Sequence, residues 1–297
     1  MSKFKLIWLT LFFCLFFFGW KITGSAAPPR PGTFFVIGTG PAGPEHATLK
    51  AIETMRKADL VLTHPELAKK FSSYLKGKKI EDPWKELWMH QGKIWMKDLH
   101  LFKPEERQAV VAEKTRERDE YVKQLKAILA QGKNVALLDG GDPTIYSRAF
   151  WLVEGLEPEQ VEIIPGVGAL AASMAALKKS STGGGARFVL QTAPFAFFGK
   201  KDRDDLARDL SRSPGTLAFY MGLADMENLV NSLKKYNPGN LPVAVVYNAA
   251  YPQKEKVVKG TLDNIMAKIA PEPEKWLGMI IVGQCLEGSA FTLSEGN

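Results

Sequence analysis

From residue 33 onward, short apolar runs alternate with longer stretches whose apolar residues recur every three or four positions, the alternation expected of an α/β protein. Phe34-Phe35-Val36-Ile37 is a buried-strand candidate, and Ala51, Ile52, Met55 and Ala58 follow at helical spacing. Leu60-Val61-Leu62 predicts a second strand. Residues 105–131 predict a long helix with Tyr121, Val122, Leu125, Ile128 and Leu129 on one face, ended by Gly132, and strands follow at 135–138 and 161–164. The next segment carries Ala169, Ala171, Ala172, Ala175 and Ala176, so it predicts a helix slim enough to pack closely on a sheet.

The pattern breaks at Ser-Ser-Thr-Gly-Gly-Gly, residues 180–185, because three successive glycines suit neither helix nor strand. Beyond it, strands are predicted at 188–191, 216–220, 243–247, 256–258 and 279–282, and helices near 202–211, 224–235 and 262–269. Two α/β domains follow, over residues 33–182 and 186–297. A chain of 297 residues is long enough for both, at roughly 150 residues per domain.

The first 27 residues depart from this scheme. Lys3 and Lys5 precede fifteen uncharged, mostly apolar residues, Leu6–Trp20, and the small residues Gly24-Ser25-Ala26-Ala27 come next. That order reads as a signal peptide or membrane anchor, and Pro28, Pro29 and Pro31 make a stiff spacer over 28–32. A buried core helix is the competing reading, opposed by the lack of a polar face. Export or membrane attachment is the expectation, with an anchor facing the cytoplasm as the alternative.

Composition removes several classes of function. Hydrophobic residues make up 45% and charged residues 24%, an ordinary globular balance. The net charge of +7 draws on Lys3, Lys5 and Lys21 of the leader, and the remaining Lys and Arg clusters are short and separated, so no nucleic-acid partner is expected. Cys14 and Cys285 cannot form a disulfide framework. His46, His64, His90 and His100 show no metal-ligand spacing, and no metal is expected.

Two glycine motifs sit where strands should end. Gly38-Thr39-Gly40-Pro41-Ala42-Gly43 satisfies the GxGxxG spacing of dinucleotide-binding sites. However, Asp59 stands before the second strand instead of after it, and Pro41 and Pro44 remove two amides that a pyrophosphate would use. The second motif is Gly140-Gly141-Asp142-Pro143-Thr144-Ile145-Tyr146. It is either a turn or a ligand loop.

Together these segments resemble the tetrapyrrole (corrin/porphyrin) methylase family. The resemblance rests on VIGTGPAGPEHATLKA at 36–51, ADLVL at 58–62, GGDPTIYSR at 140–148, IIPGVGALAA at 163–172, FYMGL at 219–223 and PVAVVYNAAYP at 242–252, in the family's order. VVYNAAYPQKEKVVKGTL is most similar to the precorrin-4 methyltransferase branch. The resemblance implies two α/β domains with S-adenosylmethionine in the cleft between them, acting as donor in carbon methylation of a precorrin- or uroporphyrinogen-like tetrapyrrole. It implies cofactor contacts at Pro41, Gly140, Gly141, Asp142, Ile145 and Met221, and at Gly168, Ala169 and Ala249, where the side chains partly differ from the family's. Asp142 would accept from the cationic end of the ligand or, alternatively, cap its own turn.

Where the uroporphyrinogen enzymes end their second strand in Tyr-Asp, this chain has His64. An imidazole could take the proton, or it could be structural. Arg148, Lys78 and Lys79 are candidates for substrate carboxylates, or solvated surface. Trp84 and Trp88 lie four apart in a segment without a recognised counterpart, either packed or forming a lid over a flat macrocycle. Tyr121 and Arg118 loosely resemble a pair in the superfamily's peptide N-methyltransferases. A homodimer, a non-catalytic exported tetrapyrrole-binding protein and a methyltransferase for peptide or RNA are the remaining readings.

Overall fold

The computed structural model describes residues 30–94, 99–193, 196–197 and 201–288. The chain builds two five-stranded sheets. The first contains β1 (Phe34–Gly38), β2 (Leu60–Leu62), β3 (Lys79–Glu81), β6 (Val135–Asp139) and β7 (Val161–Ile164), all parallel in the order β3-β2-β6-β1-β7. The short hairpin of β4 (Met89–His90) and β5 (Lys93–Ile94) stands apart.

Alternate residues of the first sheet face two different cores, which is why its central strands read as unbroken apolar runs. Phe34, Val36, Leu62 and Leu137 point toward α3 (Trp84–Leu87), α4 (Pro104–Ala130) and α5 (Ala149–Val153). Phe35, Ile37, Val61 and Leu138 point toward α1 (Leu49–Lys57) and toward Phe71 and Leu75, which follow α2 (Pro65–Lys70). Trp84 and Trp88 meet edge to face at 5.8 Å, and Trp88 meets Trp151 at 5.6 Å. Of the two readings of this pair, packing is the one realised and the lid is not, because their rings sit in the α3–α4–α5 core.

The second sheet contains β8 (Val189–Thr192), β9 (Thr216–Tyr220), β10 (Pro242–Tyr247), β11 (Lys256–Thr261) and β12 (Gly278–Val282), in the order β11-β10-β12-β9-β8. Only β8 and β9 run parallel. Phe219, Val243, Val245 and Ile280 cover α7 (Arg203–Leu210), α8 (Met226–Lys234) and α9 (Ile265–Ile269). Ala218, Ala244, Val246 and Ile281 on the other face receive Met174 and Leu177 of α6 (Ala169–Leu177). Although α6 follows β7 of the first sheet and precedes the glycine stretch, by packing it belongs to the second. Its alanines let the helix come close enough for this.

Sequence reasoning missed β3, β4, β5, α2, α3 and α5. All six are short, and β3 reads Lys-Ile-Glu, with no apolar run to mark it. The expectation of export or membrane attachment is overturned for the described residues, where no helix is long and apolar enough to cross a membrane. The segment 1–27 that suggested a signal or anchor lies outside the described residues, as do Pro28 and Pro29 of the spacer.

The three loops leaving β1, β6 and β7 meet with almost no clearance. A Cβ placed on Gly166 would lie 2.1 Å from the Gly141 carbonyl oxygen, and one on Gly38 would lie 2.5 Å from the Gly166 nitrogen. Both obstacles are backbone atoms, which cannot rotate away. Gly166→Ala is therefore expected to cost about 3 kcal/mol or more, at the upper end of overpacking penalties, read as a fall in the urea midpoint. An unchanged midpoint would show that the junction is looser than its geometry.

Candidate functional site

The order β3-β2-β6-β1-β7 makes the chain turn one way after β1 and the other way after β6, so their loops open side by side at the carboxyl ends of the strands. Open α/β sheets bind ligands at such a switch point. The two loops are stitched together by Gly40 N–H to Gly141 O at 3.2 Å and Gly141 N–H to Gly40 O at 2.9 Å. Thr39 adds its amide and its hydroxyl to the Asp139 carbonyl, at 2.8 and 2.9 Å. Gly141 has φ +76°, so a side chain there would be strained, yet a Cβ on Gly140 or Gly141 would meet nothing within 4 Å. The backbone of this loop therefore faces open space.

Asp142 closes the loop. Its Oδ1 accepts from the Thr144 amide at 3.0 Å and the Thr144 hydroxyl at 2.8 Å, so the turn-capping role is realised. Gly168, at the start of α6, stands against it: a Cβ on Gly168 would lie 3.5 Å from the Asp142 Cβ. The second sheet contributes Tyr220, whose hydroxyl donates to Gln191 Oε1 at 2.5 Å. Burial raises the Tyr220 pKa, the Leu170 amide opposes the rise, and the Asp142 carboxylate adds to it. Tyr220 thus lies beside both the first-sheet loop and α6. Next to it, Met221 has φ +51° and is 36% exposed, and Ala249, between the left-handed Asn248 and Ala250, packs like Ala169, Leu170 and Tyr220 against the core of Met174, Ala218, Val246 and Ile281.

The structure thereby sets Gly140, Gly141, Asp142, Gly168 and Ala169 together at the carboxyl edge of the first sheet, with Tyr220 of the second sheet, and Met221 next to it, approaching Asp142, while Ala249 packs on the same core face as Ala169 and Tyr220. Pro41 lies on the adjoining loop, and Ile145 is exposed just after Asp142. His64 follows two residues after β2, which neighbours β6 in the sheet, and its Nδ1 accepts the Glu66 amide at 3.4 Å as the cap of α2.

Arg148 is half-buried, its guanidinium 4.7 Å from the Trp84 ring centroid and 5.5 Å from that of Trp88. Burial lowers its pKa, and Asp139, Tyr146 and Asp82 resist that change. Lys78 and Lys79 require correction. Lys78 Nζ donates to the carbonyls of Arg56 at 2.9 Å and Ala58 at 2.7 Å, closing the end of α1, and Lys79 pairs with Glu81 at 2.6 Å. Both stand at the amino end of β3, the edge opposite the glycine loops. Arg118 and Tyr121 serve packing: Arg118 donates to the Trp151 carbonyl at 2.9 Å, and Tyr121 lies against the α4 core.

Sequence reasoning missed Tyr220, Gln191 and Asp139. Tyr220 could have been noticed as the last strand residue before Met221, and Asp139 as a charge ending an apolar strand. A separate cavity of about 530 Å³ lies against α8 and α9, lined by Tyr247, Met226 and Met266, and none of the candidate cofactor, catalytic or substrate residues lines it.

Residues 33–266 match the family described as Tetrapyrrole (Corrin/Porphyrin) Methylases. The chain belongs to that family. It is 29% identical over 261 residues to the uroporphyrinogen-III C-methyltransferase of Methanocaldococcus jannaschii, covering 85% of this chain and 96% of the relative. Identity to the cobalt-precorrin-4 C(11)-methyltransferase of the same organism is 28% over 266 residues, covering 88% and 90%. Among solved structures, a cobalt precorrin-4 methyltransferase superposes with a TM-score of 0.64 at 21% identity, covering 86% of this chain and 96% of the other. A uroporphyrin-III C-methyltransferase of Thermus thermophilus, solved with S-adenosyl homocysteine, gives 0.55 at 23% identity, covering 86% and 99%.

Asp139 supplies a pH test of this site. Burial raises its pKa, against the opposing effects of Ser147, Arg148 and the Gly140 amide. A carboxyl that binds its proton more tightly when folded favours the fold below the ordinary aspartate value of about 3.9, and that contribution is lost as pH rises through the folded value. Asp139→Asn should therefore lose stability less steeply than the wild type as pH climbs from about 4 toward 7, measured by urea unfolding at each pH. Parallel profiles would refute the shift.

Proposed function

We propose that the protein is an S-adenosylmethionine-dependent methyltransferase acting on a carbon of a precorrin- or uroporphyrinogen-like tetrapyrrole. Family membership and the names of both curated relatives support the reaction class. The observation that carries the cofactor assignment is the uncovered backbone of Gly140-Gly141, beside Asp142 and the start of α6. A ligand can approach main-chain atoms there at a distance no side chain would allow.

When bound, S-adenosylmethionine supplies a methyl group on a sulfonium, open to in-line attack by a nucleophilic carbon. Asp142 places a carboxylate in the loop, and its Oδ2 is the oxygen not used by Thr144, suited to a cationic ammonium or sulfonium. Pro41 and Ile145 bound the same space. Ile145, Tyr146, Val167 and Met221 are exposed apolar side chains on the loops that carry or neighbour these residues, available to exclude water from the reacting atoms. Orientation is the main work left to the protein, since reacting atoms held ~3–3.5 Å apart gain most of their advantage from position.

For the acceptor, Arg148 is the cationic residue best placed to meet a carboxylate. Stacking on Trp84 holds its guanidinium, and among the described residues no carboxylate lies within ion-pair distance of it. The proton-accepting role first read for His64 changes with its geometry. Because Nδ1 accepts from Glu66, the neutral ring carries its proton on Nε2, which is left as a donor for a substrate.

Calorimetric titration with S-adenosylhomocysteine is expected to show one site per chain, and Gly141→Leu is expected to abolish it. Unchanged affinity in that variant would reject the site. His64→Ser keeps the helix cap and removes the Nε2 donor. It should raise the KM for the tetrapyrrole while leaving S-adenosylhomocysteine affinity intact, and unaltered kinetics would remove His64 from the site.

A further inference from the structure

Lys70, the last residue of α2, places its ammonium 4.5 Å from the ring centroid of Tyr251. The two residues come from the surroundings of different sheets. Lys70 is carried by the helix that His64 caps at the carboxyl edge of the first sheet, and Tyr251 by the β10–β11 loop that also carries Ala249. That loop holds three non-glycine residues in the left-handed region, Asn248 at φ +46°, Ala250 at +66° and Gln253 at +65°. Such backbone persists only where its surroundings fix it.

Within the loop, Glu255 Oε2 accepts the Ala250 amide at 2.7 Å, and the Tyr251 amide donates to the Asn248 carbonyl at 2.9 Å. These bonds give the loop its shape but do not set its height over the first sheet. The Lys70–Tyr251 contact reaches across from α2 and can do so.

We infer that Lys70 and Tyr251 form a clamp between the two sheet halves that positions the Ala249 loop against the first-sheet loops, so that the methyl-donor site is preorganised by a cation resting on an aromatic ring. The inference rests on the cofactor reading above. Lys70 and Tyr251 are positioning residues, acting through Ala249. A clamp of this kind makes affinity depend on the ring face and the cation jointly, and leaves the tyrosine hydroxyl without a role.

The test is a double-mutant cycle on S-adenosylhomocysteine binding, by calorimetry on the full chain. Lys70→Met and Tyr251→Leu should each raise Kd about two- to five-fold, the range of a partly exposed cation–ring contact. The double variant should be no weaker than either single one, and Tyr251→Phe should restore wild-type affinity. A tyrosine needed only for folding would give losses that Lys70→Met on an exposed helix end does not share. Wild-type affinity in both single variants, or losses that add in the double variant, would overturn the clamp while leaving the cofactor site standing. Absence of binding by the wild type would overturn the cofactor reading and the clamp with it.

Discussion

Three backbone segments occupying the space normally given to one side chain are the constraint on which the site depends. Gly38, Gly141 and Gly166 end or follow three adjacent strands of the parallel sheet, and their main-chain atoms touch where any Cβ on Gly38 or Gly166 would collide. The contact locks the β6 loop by paired bonds to Gly40 and holds its outer surface bare. A ligand loop usually gains mobility from glycine. Here glycine serves close approach, and the rigidity comes from neighbouring backbone.

The second half of the site is tied to the first by α6 more than by any covalent proximity. This helix begins beside Asp142, and its far end sits under the second sheet at Met174 and Leu177. Tyr220, adjacent to the Leu170 amide and to Asp142, marks the same seam. Met221, Asn248 and Ala250 then leave the second sheet in left-handed conformations that cost non-glycine residues roughly 1–2 kcal/mol each. Strain concentrated on the loops facing a bare glycine backbone is the distribution expected of a binding cleft, where shape is held against local preference.

What could be read from the chain followed from burial. The central strands of both sheets are covered on two sides, so Phe34-Phe35-Val36-Ile37 and Val135-Ala136-Leu137-Leu138 announce themselves, and the glycine loops stand at their ends. Edge and peripheral pieces did not, because β3 is largely exposed and α3 has only four residues. Residue type alone misplaced Lys78 and Lys79, since nothing in a lysine's identity says which end of a strand it occupies. The tautomer of His64 was equally invisible, because the Glu66 amide fixes it only once the helix has formed. An apolar run near the amino terminus suggested membrane attachment through composition, a property that carries no information about the packed domains.

The reaction itself is most directly tested by incubating the purified chain with methyl-deuterated S-adenosylmethionine and a reduced uroporphyrinogen or precorrin, followed by mass spectrometry of the tetrapyrrole. A labelled methyl group on a ring carbon, absent from the Gly141→Leu variant, is the predicted result. An unlabelled tetrapyrrole, with the label retained on the donor, would contradict it.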